Sequence, residues 1–105
     1  MMRSTAPLSG AGGSLKSATY TDSSGTPGNV TNNSARGKAA FAGAASAVTV
    51  TNSSVSATSA VLTQLETADG TLTSILRAIP TAGSFTVTGN ANATGTTVFS
   101  FVVVN

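Results

Sequence analysis

The fold turns on the reading of "SFTVTGNANATGTTVFSFVVVN", residues 84–105. Its first part alternates, with Phe85 and Val87 on one side of an extended chain and Thr86 and Thr88 on the other. Successive side chains of a strand point to opposite faces, so this is a strand with one buried face. "GNANATG" breaks the pattern as a Gly/Asn turn, and a last strand starts near Thr96. In that strand Val98, Ser100, Val102 and Val104 share one side, and Thr97, Phe99, Phe101 and Val103 the other. From Phe99 onward both sides are apolar apart from Ser100, which predicts burial on both faces. The second face then needs a cover: the rest of a small barrel, the N-terminal segment, a neighbouring copy or a larger host.

Working upstream, "TAGS" reads as a turn, and "TLTSILRAIP", residues 71–80, is ambiguous. Leu72, Ile75, Leu76 and Ile79 also fit a helical spacing, but every neighbouring segment reads as strand and turn. We read a strand with an irregularity near Ser74, ended by Pro80. "AVLTQLETADG" holds Val61, Leu62 and Leu65 before the turn dipeptide Asp69-Gly70. A helix over 60–68 is penalised by Thr63 and Thr67, so a strand is again expected. In "AVTVT", residues 47–51, Val48 and Val50 take one face and Thr49 and Thr51 the other. Five or six short strands separated by Gly, Asn, Asp and Pro turns predict an all-β fold, a small antiparallel β-sandwich or jelly-roll-like domain.

Residues 1–38 are of another kind, mostly Ser, Thr, Gly, Asn, Ala and Pro, with Leu8, Leu15, Tyr20 and Val30 as scattered large apolar side chains. Such a segment cannot offset its ordering entropy by burying itself. The expected organisation is an extended N-terminal arm over 1–38 and the β domain over 39–105. The arm carries Arg3, Lys16, Arg36 and Lys38 against Asp22, so it holds the positive charge of a chain with net charge +2. Four unclustered cations with one aromatic among them fall short of a nucleic-acid footprint. They fit an acidic protein surface or plain solvation.

The chain has no cysteine and no histidine. Disulfides, thiolate metal sites and a cysteine nucleophile are thereby excluded, and metal binding would have to draw on Asp22, Glu66 and Asp69. Glu66 and Asp69 could serve Ca²⁺ with backbone carbonyls or act as a carboxylate pair on a glycoside, but beside "DG" they read first as a solvated turn. Sugar sites also want aromatic platforms, and the chain has one Tyr and no Trp. No tunable acid, base or nucleophile is evident, so we expect no enzyme, no cofactor and no small-molecule substrate. "GAGGS", residues 10–14, lacks the strand and helix of a dinucleotide loop and reads as linker. The Asn-X-Ser/Thr triplets at Asn29, Asn32, Asn52 and Asn92 are expected by chance in so Asn-, Ser- and Thr-rich a chain. No run approaches a membrane span and the first residues lack a secretory apolar core, so no membrane role is expected.

The stretch "GKAAFAGAASAVTVTNSSVSATSAVLTQLETADGT", followed by "AIPTAGSFTVTGNANATGTTVFSFVVVN", resembles a recurrent module of tailed-phage virion proteins. That module shares a "VTVTNS" strand and turn, a "PTAGSF" hairpin running into "GNANATGT", and a closing aromatic and valine strand. The resemblance covers about residues 38–105 and implies a small trimerising β-sandwich or jelly roll, as in capsid decoration (cement) proteins and in head-fibre or tail-fibre tips. With no shaft or repeats, this chain is closer to a decoration protein, made in the host cytoplasm and carried on the virion surface as a homotrimer against the major capsid protein. A fibre-tip or receptor-binding module is the alternative. On the decoration reading, the arm residues Arg3, Lys16, Tyr20, Arg36 and Lys38 would contact the capsid. Phe85, Phe99, Phe101 and Val103 would form the core or the trimer interface.

Overall fold

A computed structural model describes residues 20–105 of the chain. Eight strands follow one another: β1 (Tyr20–Asp22), β2 (Val30–Thr31), β3 (Arg36–Phe41), β4 (Ala47–Thr51), β5 (Ala60–Leu65), β6 (Ile75–Thr81), β7 (Ser84–Gly89) and β8 (Thr97–Val104). They form two four-stranded sheets, ordered β1-β3-β8-β5 and β2-β4-β7-β6, packed as a sandwich. The all-β sandwich expected from the alternating pattern is therefore the fold. Among the described residues no helix is long and apolar enough to cross a membrane.

Each sheet is mixed where an antiparallel one was expected, because β1 pairs with β3, and β2 with β4, in parallel. Parallel neighbours need a crossover of a dozen or more residues. The chain supplies it by laying β1, β2, β3 and β4 alternately in the two sheets.

Strand structure also begins ahead of the expected boundary at residue 38, in β1, β2 and the first half of β3. What holds this segment is amide chemistry. Asn32 is buried, and its Nδ2 donates to the Thr21 carbonyl (2.9 Å) and to Ser23 Oγ (3.1 Å), while its Oδ1 accepts from the Ser34 amide. Asn52, also buried, donates to the Ser34 carbonyl (2.7 Å) and accepts from the Ser54 amide (2.8 Å). Buried polar groups paired in this way avoid the desolvation penalty and tie the segment to both sheets. Gly37 permits the closest approach: a Cβ there would lie 2.1 Å from the Thr21 carbonyl oxygen.

The inward faces supply one core. Val48 and Val50 from β4, Phe85 and Val87 from β7, and Phe99, Phe101 and Val103 from β8 are all buried. Phe41 meets Phe99 within the first sheet, ring centroids 5.3 Å apart. Leu72, in the connection before β6, fills the space that Gly89 leaves; a Cβ on Gly89 would stand 2.8 Å from its side chain.

One local expectation is revised, and the irregularity expected near Ser74 is present. Pro80 does not end its segment but lies inside β6, opposite Phe85. The Gly89 amide bonds the Ser46 carbonyl, so Phe85, Val87 and Gly89 bond towards β4, and Ser84, Thr86 and Thr88 towards β6. Pro80 therefore lacks its N–H on the open side of an edge strand, where it costs no ladder bond. The irregularity is a register shift between Ile75 and Arg77, just past Ser74. Asp69-Gly70 lies in the crossing between the sheets, since β5 and β6 belong to different ones. There the Asp69 carboxylate accepts from the amides of Thr71, Leu72 and Thr94 and from the Thr94 hydroxyl, shaping the crossing.

The closing strand is central in its sheet, flanked by β3 and β5. Its second face, however, is open: Val102 and Val104 are 36% and 47% exposed, not buried as the continuous apolar run predicts. The run reads as buried because valine suits a pleated surface whether or not that surface is covered. Asn105 is held beyond the strand, with Nδ2 donating to the Ser54 carbonyl (3.1 Å) and Oδ1 accepting from the Ser59 hydroxyl.

Candidate functional site

The outer face of the first sheet gathers side chains that are far apart in sequence. Tyr20 pairs with Arg36, Arg36 with Val102, and Val102 with Leu62, so one row crosses all four strands. The next row on the same face is Asp22, Lys38, Ser100 and Gln64. Alternation places these side chains outward, because their sequence neighbours Gly37, Phe99, Phe101 and Val103 are buried on the other side.

The first row is amphipathic. Tyr20 and Leu62 are about half exposed or more, and the Arg36 guanidinium lies over the Tyr20 ring, 5.1 Å from its centroid. This cation–π contact holds a planar donor beside an apolar patch. Leu62 and Val102 border a shallow depression of about 160 Å³, completed by Thr63, Gln64, Ser100 and Phe101. Ligand pockets run to several hundred Å³ and enclose their contents, so this depression suits one or two side chains of a partner.

The second row carries an ion pair, made by Lys38 with Glu66. Lys38 Nζ donates to Glu66 Oε1 at 2.7 Å. The bond to Glu66 raises the Lys38 pKa, and the bonds from Lys38 and then Ser100 lower that of Glu66. Both groups stay charged over the ordinary pH range and leave the face nearly balanced.

The structure thus brings together Tyr20, Arg36 and Lys38, three of the residues expected to contact a partner. Arg3 and Lys16 lie outside the described residues. Phe85, Phe99, Phe101 and Val103 are buried inside a single copy, the least so being Val103 at 8% exposure. Glu66 and Asp69 each serve their own partners, Lys38 in one case and the residue 71–72 and 94 groups in the other. Among the described residues no cluster of three or more acids, histidines or cysteines occurs. Asn32 and Asn52, in two of the Asn-X-Ser/Thr triplets, are buried structural amides.

Sequence reasoning missed Leu62 as a member of this face. It reads only as one apolar residue of a strand, and the signal that places it beside Val102 is the β5–β8 register, which local sequence does not carry. Leu76 and Ile79 of β6 are exposed on the second sheet. No family model, curated protein or solved structure matches the chain.

Proposed function

We propose that the chain is a virion structural protein, a capsid decoration protein that seats the outer face of its first sheet on the assembled phage head. The observation that carries this reading is the convergence of Tyr20, Arg36 and Lys38 with Leu62, Val102 and Val104 on one open face. Aromatic and arginine side chains beside a desolvatable apolar patch are the usual anchors of protein interfaces. The resemblance of residues 38–105 to a tailed-phage virion module supplies the partner, the major capsid protein, and the threefold arrangement of copies on it.

The mechanism is physical. A protein that binds the assembled lattice and not its free subunits stabilises that lattice by linkage. Several copies engaged at once turn modest individual contacts into avidity.

Quantifying the chain in purified virions by gel densitometry against the major capsid protein tests this reading. Hundreds of copies per particle are expected. A few copies, or about a dozen, would instead assign the chain to a fibre tip.

A further inference from the structure

Four strands stand at the edges of the two sheets, and three of them are blunted. β1 has only three residues and carries Asp22, and β2 has two residues. β6 is interrupted by the register shift between Ile75 and Arg77, carries Arg77, and has Pro80 with no N–H on its open side. Short strands, charges, bulges and proline are the devices by which sheet edges avoid pairing with another chain. β5 has none of them: Ala60–Leu65 is a six-residue run, "AVLTQL", without charge, proline or bulge.

Its open side is defined by the ladder. The Glu66 amide bonds the Val98 carbonyl (2.8 Å), continuing the register in which Ala60, Leu62 and Gln64 bond to β8. The N–H and C=O groups of Val61, Thr63 and Leu65 therefore point away from the sheet, and among the described residues no strand pairs with them.

We propose that β5 pairs antiparallel with β5 of a second copy about a twofold axis at Thr63, joining the first sheets of two copies into one. The occupant is a second copy because the strand is complementary to itself in that register. Val61 meets Leu65 of the other copy through outward main-chain groups, Thr63 meets Thr63, and on the outer face Leu62 stands beside Gln64. The charge that flanks the strand is Glu66, already paired with Lys38 and opposed by Ala60 in that register, so no like charges are set opposite each other within the strand pair. The Leu62 and Val102 row of each copy then runs on into the Gln64, Ser100 and Lys38 row of the other. With the other edges blunted, the contact is isologous and closes at two copies. This inference does not rest on the decoration reading; on a lattice with threefold positions, it would link neighbouring copies across local twofold axes.

Sedimentation equilibrium of the purified chain over a range of concentrations tests it, with circular dichroism to verify folding. A reversible dimer is expected. The double variant Leu62→Lys with Gln64→Lys changes two exposed side chains and opposes lysines across the twofold pair; self-association should weaken at least tenfold with the fold retained. Leu62→Lys with Gln64→Glu opposes lysine to glutamate and should restore the dimer. A monomer at every concentration, a trimer, or a dimer indifferent to the two lysines would overturn the proposal.

Discussion

Phe85 on β7 and Phe101 on β8 meet across the sandwich, ring centroids 5.0 Å apart and planes inclined at 56°. They come from different sheets and both are buried, so this tilted pair is where the two halves of the core interlock. Replacing Phe101 with Ala removes the ring and leaves a cavity against Phe85. The expected loss is about 3–5 kcal/mol of unfolding free energy, read from urea denaturation. A loss below about 1 kcal/mol would mean that the sheets are not packed through this contact.

Gly37 faces the Thr21 carbonyl so closely that any side chain must push β1 off β3. Gly37→Ala should cost about 1–3 kcal/mol. It should also part Tyr20 from Arg36, and Tyr20 is the only tyrosine in a chain without tryptophan. The intrinsic tyrosine emission of the native protein therefore reports the displacement directly, and an unchanged spectrum would contradict it.

Asp69 gives the crossing between the sheets a pH dependence. The Thr94 hydroxyl, then the amides of Leu72 and Thr71, hold its carboxyl well below the ordinary carboxylate value of 3.8. A group whose folded pKa is depressed confers stability that is present above its unfolded value and lost as pH falls through the folded one. The thermal midpoint should accordingly fall as pH drops below about 4. Asp69→Asn should lower the midpoint at neutral pH and flatten, without abolishing, the acid limb, since Asp22 and Glu66 are also held low by their hydrogen bonds. An acid limb as steep as the parent's would remove Asp69 from this role.

If the outer face of the first sheet docks on a phage head, Arg36→Glu should weaken cosedimentation with heads about tenfold or more. The same substitution places a carboxylate beside the Tyr20 ring and ends the cation–π contact. Pro80→Ala, on the other sheet, should leave head binding unchanged. Equal loss in both variants would point to misfolding and not to a docking face.

The strands were legible where alternation is clean. β4, β7 and β8 announce themselves through Val48 and Val50, Phe85 and Val87, and Phe99 and Phe101, because a half-buried strand must repeat every second residue. The N-terminal strands were not, because β1 and β2 are held by Asn32, Asn52 and Gly37, residue types that in isolation favour turns. Their burial depends on partners that only the fold brings near.

The sequence by itself determined the class of the molecule: all β, with one phenylalanine and valine core, and with no cysteine or histidine chemistry. Those properties follow from composition and from a local period of two. Tertiary structure alone decided that Tyr20, Arg36, Val102 and Leu62 stand in one row, and that β5 is an edge with no strand paired to its outer side among the described residues. Strand order and register are set by long-range pairing, and a one-residue slip would turn every one of those side chains to the other face.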